Sequence, residues 1–300
     1  MARKIPYNKS HLSITDQIAR LKSRGMQFAD VNVAAHYLSH MNYYRLTAYW
    51  LPYERDHTTH RFYANTYLEE VLKHYVFDRE LRLLVLDAIE RIEVSVKAQM
   101  AHTLSSLYGS HPHMKPELFH CPVSYAQNLS KLKNEFDRSS ETFSDHFKTK
   151  YIEKLPPIWA AVELMTMGHI SYWYSNIKKR ADRNAISRVY GLDESILKSF
   201  LHHLTIIRNI CAHHGRLWNR RFTFAIKLPN YPNDLSQSLN RNKADKKSLY
   251  NTLVFLKYLM DKINPSHQWD IRLKELLESN CINVSAMGFP TDWKSLPVWQ

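Results

Sequence analysis

The sequence predicts an all-α protein, and three observations carry that prediction. Only six glycines occur in 300 residues, too few for the tight turns of a many-stranded fold. Residues 66–108 contain neither Gly nor Pro and are rich in good helix formers. Hydrophobic residues make up 44% of the chain, enough to bury the core of one large domain or two small ones.

Taken in order, residues 15–24 and 30–41 have the apolar spacing of short amphipathic helices. They are followed by the aromatic stretch MNYYRLTAYWLPY at 41–53 and a polar loop, ERDHTTHRFYAN. Thr66 with Glu69 has the spacing of a capping box, opening either one very long helix over 66–108 or two joined by a kink. Within it Asp87 and Arg91, like Glu93 and Lys97, stand four apart, the spacing of surface ion pairs.

A loop rich in Gly, Pro and His covers 109–123, and helices are expected near 124–138, 157–176 and 180–190. The next helix, 193–214, is opened by Asp193 and closed by Gly215, placed where a left-handed cap belongs. Residues 221–247 read as mostly irregular, and helices near 247–263 and 268–279 finish the chain. The organisation expected is an N-terminal helical extension (1–64), a helical core (65–225) and a C-terminal helical segment (226–300).

Forty-one Lys and Arg against 28 Asp and Glu leave a formal charge of +13, which points to a polyanionic partner without choosing among polyanions. The 12% aromatic content leans the choice towards nucleic acid, because bases stack on rings. Cys121, Cys211 and Cys281 are an odd, widely spaced set with no CxxC, which argues against a disulfide framework and suits a reducing cytosol. The N-terminal MARKIPYNKSHLSITDQ has no apolar leader core, and no stretch approaches the length of a spanning helix. A soluble cytoplasmic protein with no membrane partner is the expectation.

Two clusters invite a chemical reading. His111, His113, His120 and Cys121 are all possible zinc ligands, yet their spacing matches no standard zinc pattern and prolines interrupt them. No metal or cofactor is expected there. The second cluster is RNICAHHGRLWN at 208–219. An Arg followed by a His after four to six residues is a weak pattern in so Arg- and His-rich a chain, and Arg55 to His60 matches it as well as Arg208 to His213.

Setting separates the two matches. At 100° per residue, Ile196, Phe200, Leu204, Ile207 and Cys211 form one apolar stripe, while His202, Asn209 and His213 share the opposite face. Arg208 flanks that face, and His214 projects nearer the apolar side, as a structural residue would. Guanidinium, carboxamide and imidazole together suit metal-free RNA cleavage. Arginine holds the phosphodiester, histidine moves protons at the 2′-hydroxyl or the leaving 5′-oxygen, and asparagine orients either group. Two other readings fit the same residues: an RNA-binding module that does not cleave, and a protein-interaction bundle in which His213 simply answers the helix dipole.

The segments MNYYRLTAYWLPY, FDRELRLLVLDAIERIE, LPPIWAAVELMTMG and LHHLTIIRNICAHHGRLWNR resemble the Abi-like proteins, the abortive-infection group of bacterial anti-phage defence, in family order from about residue 20 to 230. The resemblance implies a HEPN-like helical bundle and ribonuclease or RNA-binding activity. It places Arg208, Asn209 and His213 at the three positions of the Rx4-6H motif. It further implies a homodimer with two motifs facing each other, cleavage to a 2′,3′-cyclic phosphate, and in some relatives a toxin restrained by a small RNA. Arg216, Arg220 and Arg221 beyond the motif, and His202 before it, are the expected RNA contacts, though solvated arginines would look the same in sequence.

Overall fold

The computed structural model describes Pro6, Asn8 and residues 10–300; Met1–Ile5, Tyr7 and Lys9, part of the N-terminal stretch read for a leader, lie outside the described residues. Thirteen α-helices and one two-stranded hairpin occur among the described residues, so the architecture is all-α. Among the described residues no helix is long and apolar enough to cross a membrane.

The chain gathers into two compact units, Met1–Glu80 and Leu81–Gln300. The division falls inside a long helix, where the sequence reading places its first boundary ahead of it.

In the first unit, α1 (Ile14–Ser23) is capped by Ser13 and packs on α2 (Val31–His40), capped by Asp30. The aromatic stretch forms α3 (Tyr43–Trp50), which buries Leu46, Tyr49 and Trp50. The polar loop contains strands β1 (Glu54–Asp56) and β2 (Arg61–Phe62), so the Arg55 to His60 match lies in a hairpin and has no helical face. Buried Glu54 accepts hydrogen bonds from the Nδ1 atoms of His57 and His60 at 3.0 and 3.2 Å.

The expected capping box is absent. Thr66 Oγ1 donates to Tyr63 O at 2.8 Å, and Glu69 Oε1 accepts from the backbone N–H groups of Ala29 and Asp30 at 3.1 and 3.4 Å. Thr66 turns back to a carbonyl three residues earlier, and Glu69 is taken by a backbone distant in sequence, a competition that local spacing does not register. Helix α4 (Leu68–Tyr108) is one unbroken helix of 41 residues, as the absence of Gly and Pro permits, and Tyr49 Oη donates to buried Asp78 at 2.6 Å along its first part.

The second unit begins in α4, whose Leu81, Val85, Ala88, Ile92 and Val96 are fully buried. Asp87 pairs with Arg91 at 3.2 Å and also with Arg272 at 3.2 Å. The Glu93–Lys97 pair, at 3.1 Å, is largely buried instead of lying on the surface.

After α5 (Pro122–Arg138) comes α6 (Thr142–Lys150), which the sequence reading omits. The single helix expected over 157–176 is broken into α7 (Ile158–Ala161), a 3-10 turn and α8 (Met167–Asn176). The interruption has a local cause: extended Met165 and the Thr166 side chain, which caps α8 by accepting from His169 N, restart the helix.

Next come α9 (Arg180–Arg188), α10 (Glu194–Ala212), α11 (Asn233–Ser238, in the region read as irregular), α12 (Tyr250–Ile263) and α13 (Trp269–Ser279). Helix α12 is buried almost all round, with Leu253, Val254, Phe255, Leu256 and Leu259 fully enclosed. Trp269 Nε1 donates to Leu84 O at 2.7 Å, tying α13 to α4.

Two buried histidines should make this unit acid-sensitive. Burial, with the neighbouring His111 adding to it, pushes His113 down to about 4, and burial does the same to His203. Between pH 6.5 and 4 the unfolded chain therefore binds more protons than the folded one, so the stabilisation from keeping these rings neutral is complete above pH 6.5 and is lost as pH falls towards 4. Each histidine contributes roughly 1.4 kcal/mol of lost stability per pH unit in that window. His203→Gln, which retains a partner for Thr252, is expected to flatten the fall in urea-unfolding stability between pH 6.5 and 4.5 relative to wild type. An unchanged slope would contradict the neutral, buried imidazole.

Candidate functional site

Helix α10 is held at its start by charge and capping. Asp193 Oδ1 accepts from Ser195 N at 2.9 Å, and the two hydrogen bonds from Ser195, together with Arg180, hold its carboxyl below the usual range. Arg180 and Arg183 pair with Asp193 and Glu194 at 3.1 and 2.8 Å. The apolar stripe Ile196, Phe200, Leu204, Ile207 and Cys211 is buried, packing against α8 and α9, and the Phe200 ring stacks on Phe255 of α12 at 4.6 Å. Buried His203 Nε2 meets Thr252 Oγ1 at 2.8 Å, adding a polar tie to α12. Burying one face in this way leaves His202, Asn209 and His213 exposed on the other.

The C-terminal end differs in detail from the sequence reading. The helix closes at Ala212, His213 is the cap residue, and His214, not Gly215, takes the left-handed conformation with φ 57°. His214 N donates to Cys211 O at 3.0 Å and Gly215 N to Ile210 O at 2.8 Å, the paired bonds of a Schellman ending. Glycine still suits position 215, where a Cβ would crowd Ile210 O at 3.2 Å. His214 is exposed, so its structural role lies in its backbone, and its side chain does not enter the core.

This ending presents the motif at the mouth of the helix. Arg208, half-buried, sends Nη1 to within 3.4 Å of Asn209 Oδ1, and exposed His213 follows one turn later. Asn209 and His213 are therefore exposed together at this corner, with Arg208 at its flank. His202 lies on the same face, but 11 residues of helical rise put it about 16 Å from His213, too far to share a proton transfer.

The flanking arginines divide. Arg220 Nη1 donates to Arg216 O at 3.3 Å, folding the segment after the motif back on itself. Arg221 Nη1 donates to Ala244 O and, at 2.9 Å, to Ser248 Oγ, so its guanidinium fastens the 244–248 turn. Two neighbours of the face had no sequence signal. Phe224 packs edge-on against His202 at 4.9 Å, and Lys227 Nζ donates to Ser195 Oγ at 2.7 Å. Both come from a segment without periodicity, and only tertiary folding brings them to α10.

The other cluster disperses. His111 meets Ser110 Oγ at 2.8 Å and Leu155 O at 3.2 Å, His120 Nδ1 meets Asn176 O at 3.1 Å, and His113 is buried. No group of three His, Cys, Asp or Glu placed to hold a metal ion occurs among the described residues.

A family model described as Abi-like protein matches residues 36–219, a span that includes α10 and the whole Arg208–His213 motif. No curated protein and no solved structure shows a significant match.

Proposed function

The chain belongs to the Abi-like protein family, and from that premise we propose that it is an endoribonuclease of abortive-infection defence against phage, of the HEPN type. The observation that carries this reading is the placing of half-buried Arg208 beside exposed Asn209 and His213 at the C-terminal end of α10, with a buried stripe fixing the helix behind them.

The chemistry follows from those groups. The Arg208 guanidinium binds a non-bridging phosphate oxygen and offsets charge in the pentavalent transition state. The His213 imidazole accepts the proton of the attacking 2′-hydroxyl or protonates the leaving 5′-oxygen, and Asn209 orients the ribose or phosphate. The new P–O bond to the 2′-oxygen forms as the P–O bond to the 5′-oxygen breaks, leaving a 2′,3′-cyclic phosphate and a free 5′-hydroxyl. No metal or cofactor takes part in these steps. One imidazole serves one of the two proton transfers, and a second copy of the motif, facing the first across a homodimer, supplies the other. The protein works in the cytoplasm as the toxin of a system that a small RNA or an antitoxin holds in check.

The two arginine roles separate in an RNA-binding assay. Arg208→Ala is expected to weaken RNA affinity and to lower the slope of log K against log salt by about 1. Arg221→Ala is expected to leave that slope unchanged while loosening the 244–248 turn. Equal slopes for wild type and Arg208→Ala in electrophoretic or fluorescence titrations would remove Arg208 from the phosphate site.

A further inference from the structure

A second concave site lies in the Leu81–Gln300 unit, built from residues 110–111, helix α6 and the segment 153–160. It is a cleft of about 860 Å³ whose walls are predominantly apolar, formed by Phe143, Phe147, Tyr151, Pro156, Pro157 and Trp159. That volume falls within the range of small-molecule sites. Its walls are fastened in place. Ile158 N donates to Ser110 O at 2.8 Å, and His111 bridges Ser110 and Leu155 on one side. On the other, Phe147 stacks on Tyr151 at 4.8 Å and Lys148 Nζ donates to Ser139 O at 2.8 Å.

The polar groups at this cleft have an unusual balance for so basic a protein. In a chain with a formal charge of +13, the cleft is lined by the carboxylates of Glu141 and Glu153 with the imidazoles of His111 and His146, and no Lys or Arg lines it. An adjoining hollow of about 560 Å³ shares Glu141 and Phe143 and adds Glu135 and Glu163 against Arg138. A phosphate would meet net negative charge here, so the cleft does not extend the RNA surface of α10. Of the aromatic walls, Tyr151 already has Phe147 against it and the Lys150 ammonium 5.6 Å from its centroid, whereas Trp159 is 55% exposed. An open indole face beside carboxylates attracts an organic cation through both the ring quadrupole and ordinary charge.

We infer that this cleft binds a small organic cation, its aromatic or alkyl body held by Trp159, Phe143 and the prolines and its positive head directed to Glu141 and Glu153. The site is separate from the Arg208–His213 corner and does not depend on the ribonuclease reading.

The test titrates the full chain at pH 8 and low ionic strength with benzyltrimethylammonium chloride and with the benzylsulfonate anion, following the indole ¹H–¹⁵N signal assigned to Trp159 by Trp159→Phe. Saturable binding of the cation is expected, at least ~10-fold tighter than the anion, a difference of about 1.4 kcal/mol. Trp159→Ala, followed by isothermal titration calorimetry because it lacks the reporting indole, should abolish it, and Glu141→Gln with Glu153→Gln should bring cation and anion to within about threefold, a residual difference of ~0.6 kcal/mol. These positions are exposed, and matching thermal unfolding of the variants verifies their fold. Equal affinity for the two probes, no saturable shift with the cation, or binding indifferent to the carboxylates would overturn the inference.

Discussion

His213→Ala should fold as wild type, bind RNA within about fivefold of wild type, which is ~1 kcal/mol, and lose cleavage by roughly 10²–10⁴-fold. The three parts of this result rest on different features. The ring is exposed, and the Schellman bonds that end α10 run through the backbone N–H groups of His214 and Gly215, so the helix end survives the loss of the imidazole. Residue 213 has φ −91° and ψ 17°, which alanine adopts without strain. Stability should therefore change by no more than about 1 kcal/mol, the size of a cation's interaction with a helix C-terminus. Affinity should survive because the proposed phosphate contact, Arg208, is retained. Cleavage does not, because a proton must move at the 2′- or 5′-oxygen and a methyl side chain cannot move it. Unfolding curves, equilibrium titrations and single-turnover kinetics separate the outcomes. A variant as active as wild type removes His213 from the mechanism. A variant that unfolds would instead support a merely structural histidine.

Phe200→Ala should destabilise the protein by about 3–5 kcal/mol, a large share of the roughly 5–15 kcal/mol available to a domain. Phe200 is fully buried in the stripe of α10 and stacks on Phe255, so removing its ring leaves a cavity where α10 meets the helix most completely enclosed in the second unit. The volume-sparing Phe200→Leu should cost less, by about half. Because the motif stands at the end of the same helix, the cleavage lost in Phe200→Ala should track the unfolded fraction and return on cooling. A cost below about 1.5 kcal/mol by urea unfolding would mean that α10 is not seated as described.

How far the sequence discloses this protein depends on whether a feature is local. That 66–108 is helical was legible, though not whether as one helix or two joined by a kink, and so was the orientation of α10, whose apolar positions repeat at helical spacing behind an Asp193 cap. Part of what was not legible depends on partners distant in sequence, and part on a choice between neighbouring residues. Glu69 looks like half of a capping box until the backbone of Ala29 and Asp30 reaches it, and Gly215 looks like the left-handed cap because glycine usually takes that position, whereas here His214 takes it. Thr166 carried a local signal, a capping residue ahead of Met167–Asn176, but the apolar run around it reads as continuous helix.

The site divides in the same way. Asn209 and His213 lie one helical turn apart, so their shared face, with Arg208 on its flank, follows from the helix alone. Lys227 and Phe224 reach that face through the path of a non-helical segment, and the binding of Arg221 to the 244–248 turn likewise depends on chain that comes later. The acid-rimmed cleft is assembled from three separate segments and leaves no single motif to read.

The most direct measurement of the central claim is the chemistry of the ends left on RNA by the wild-type protein in excess chelator, beside the same RNA carrying 2′-deoxy substitutions at the cleaved positions. The account predicts 2′,3′-cyclic phosphate and 5′-hydroxyl ends on the all-ribose RNA and no scission at the substituted positions. Ends bearing a 3′-hydroxyl, or scission that persists without the 2′-hydroxyl, would contradict it.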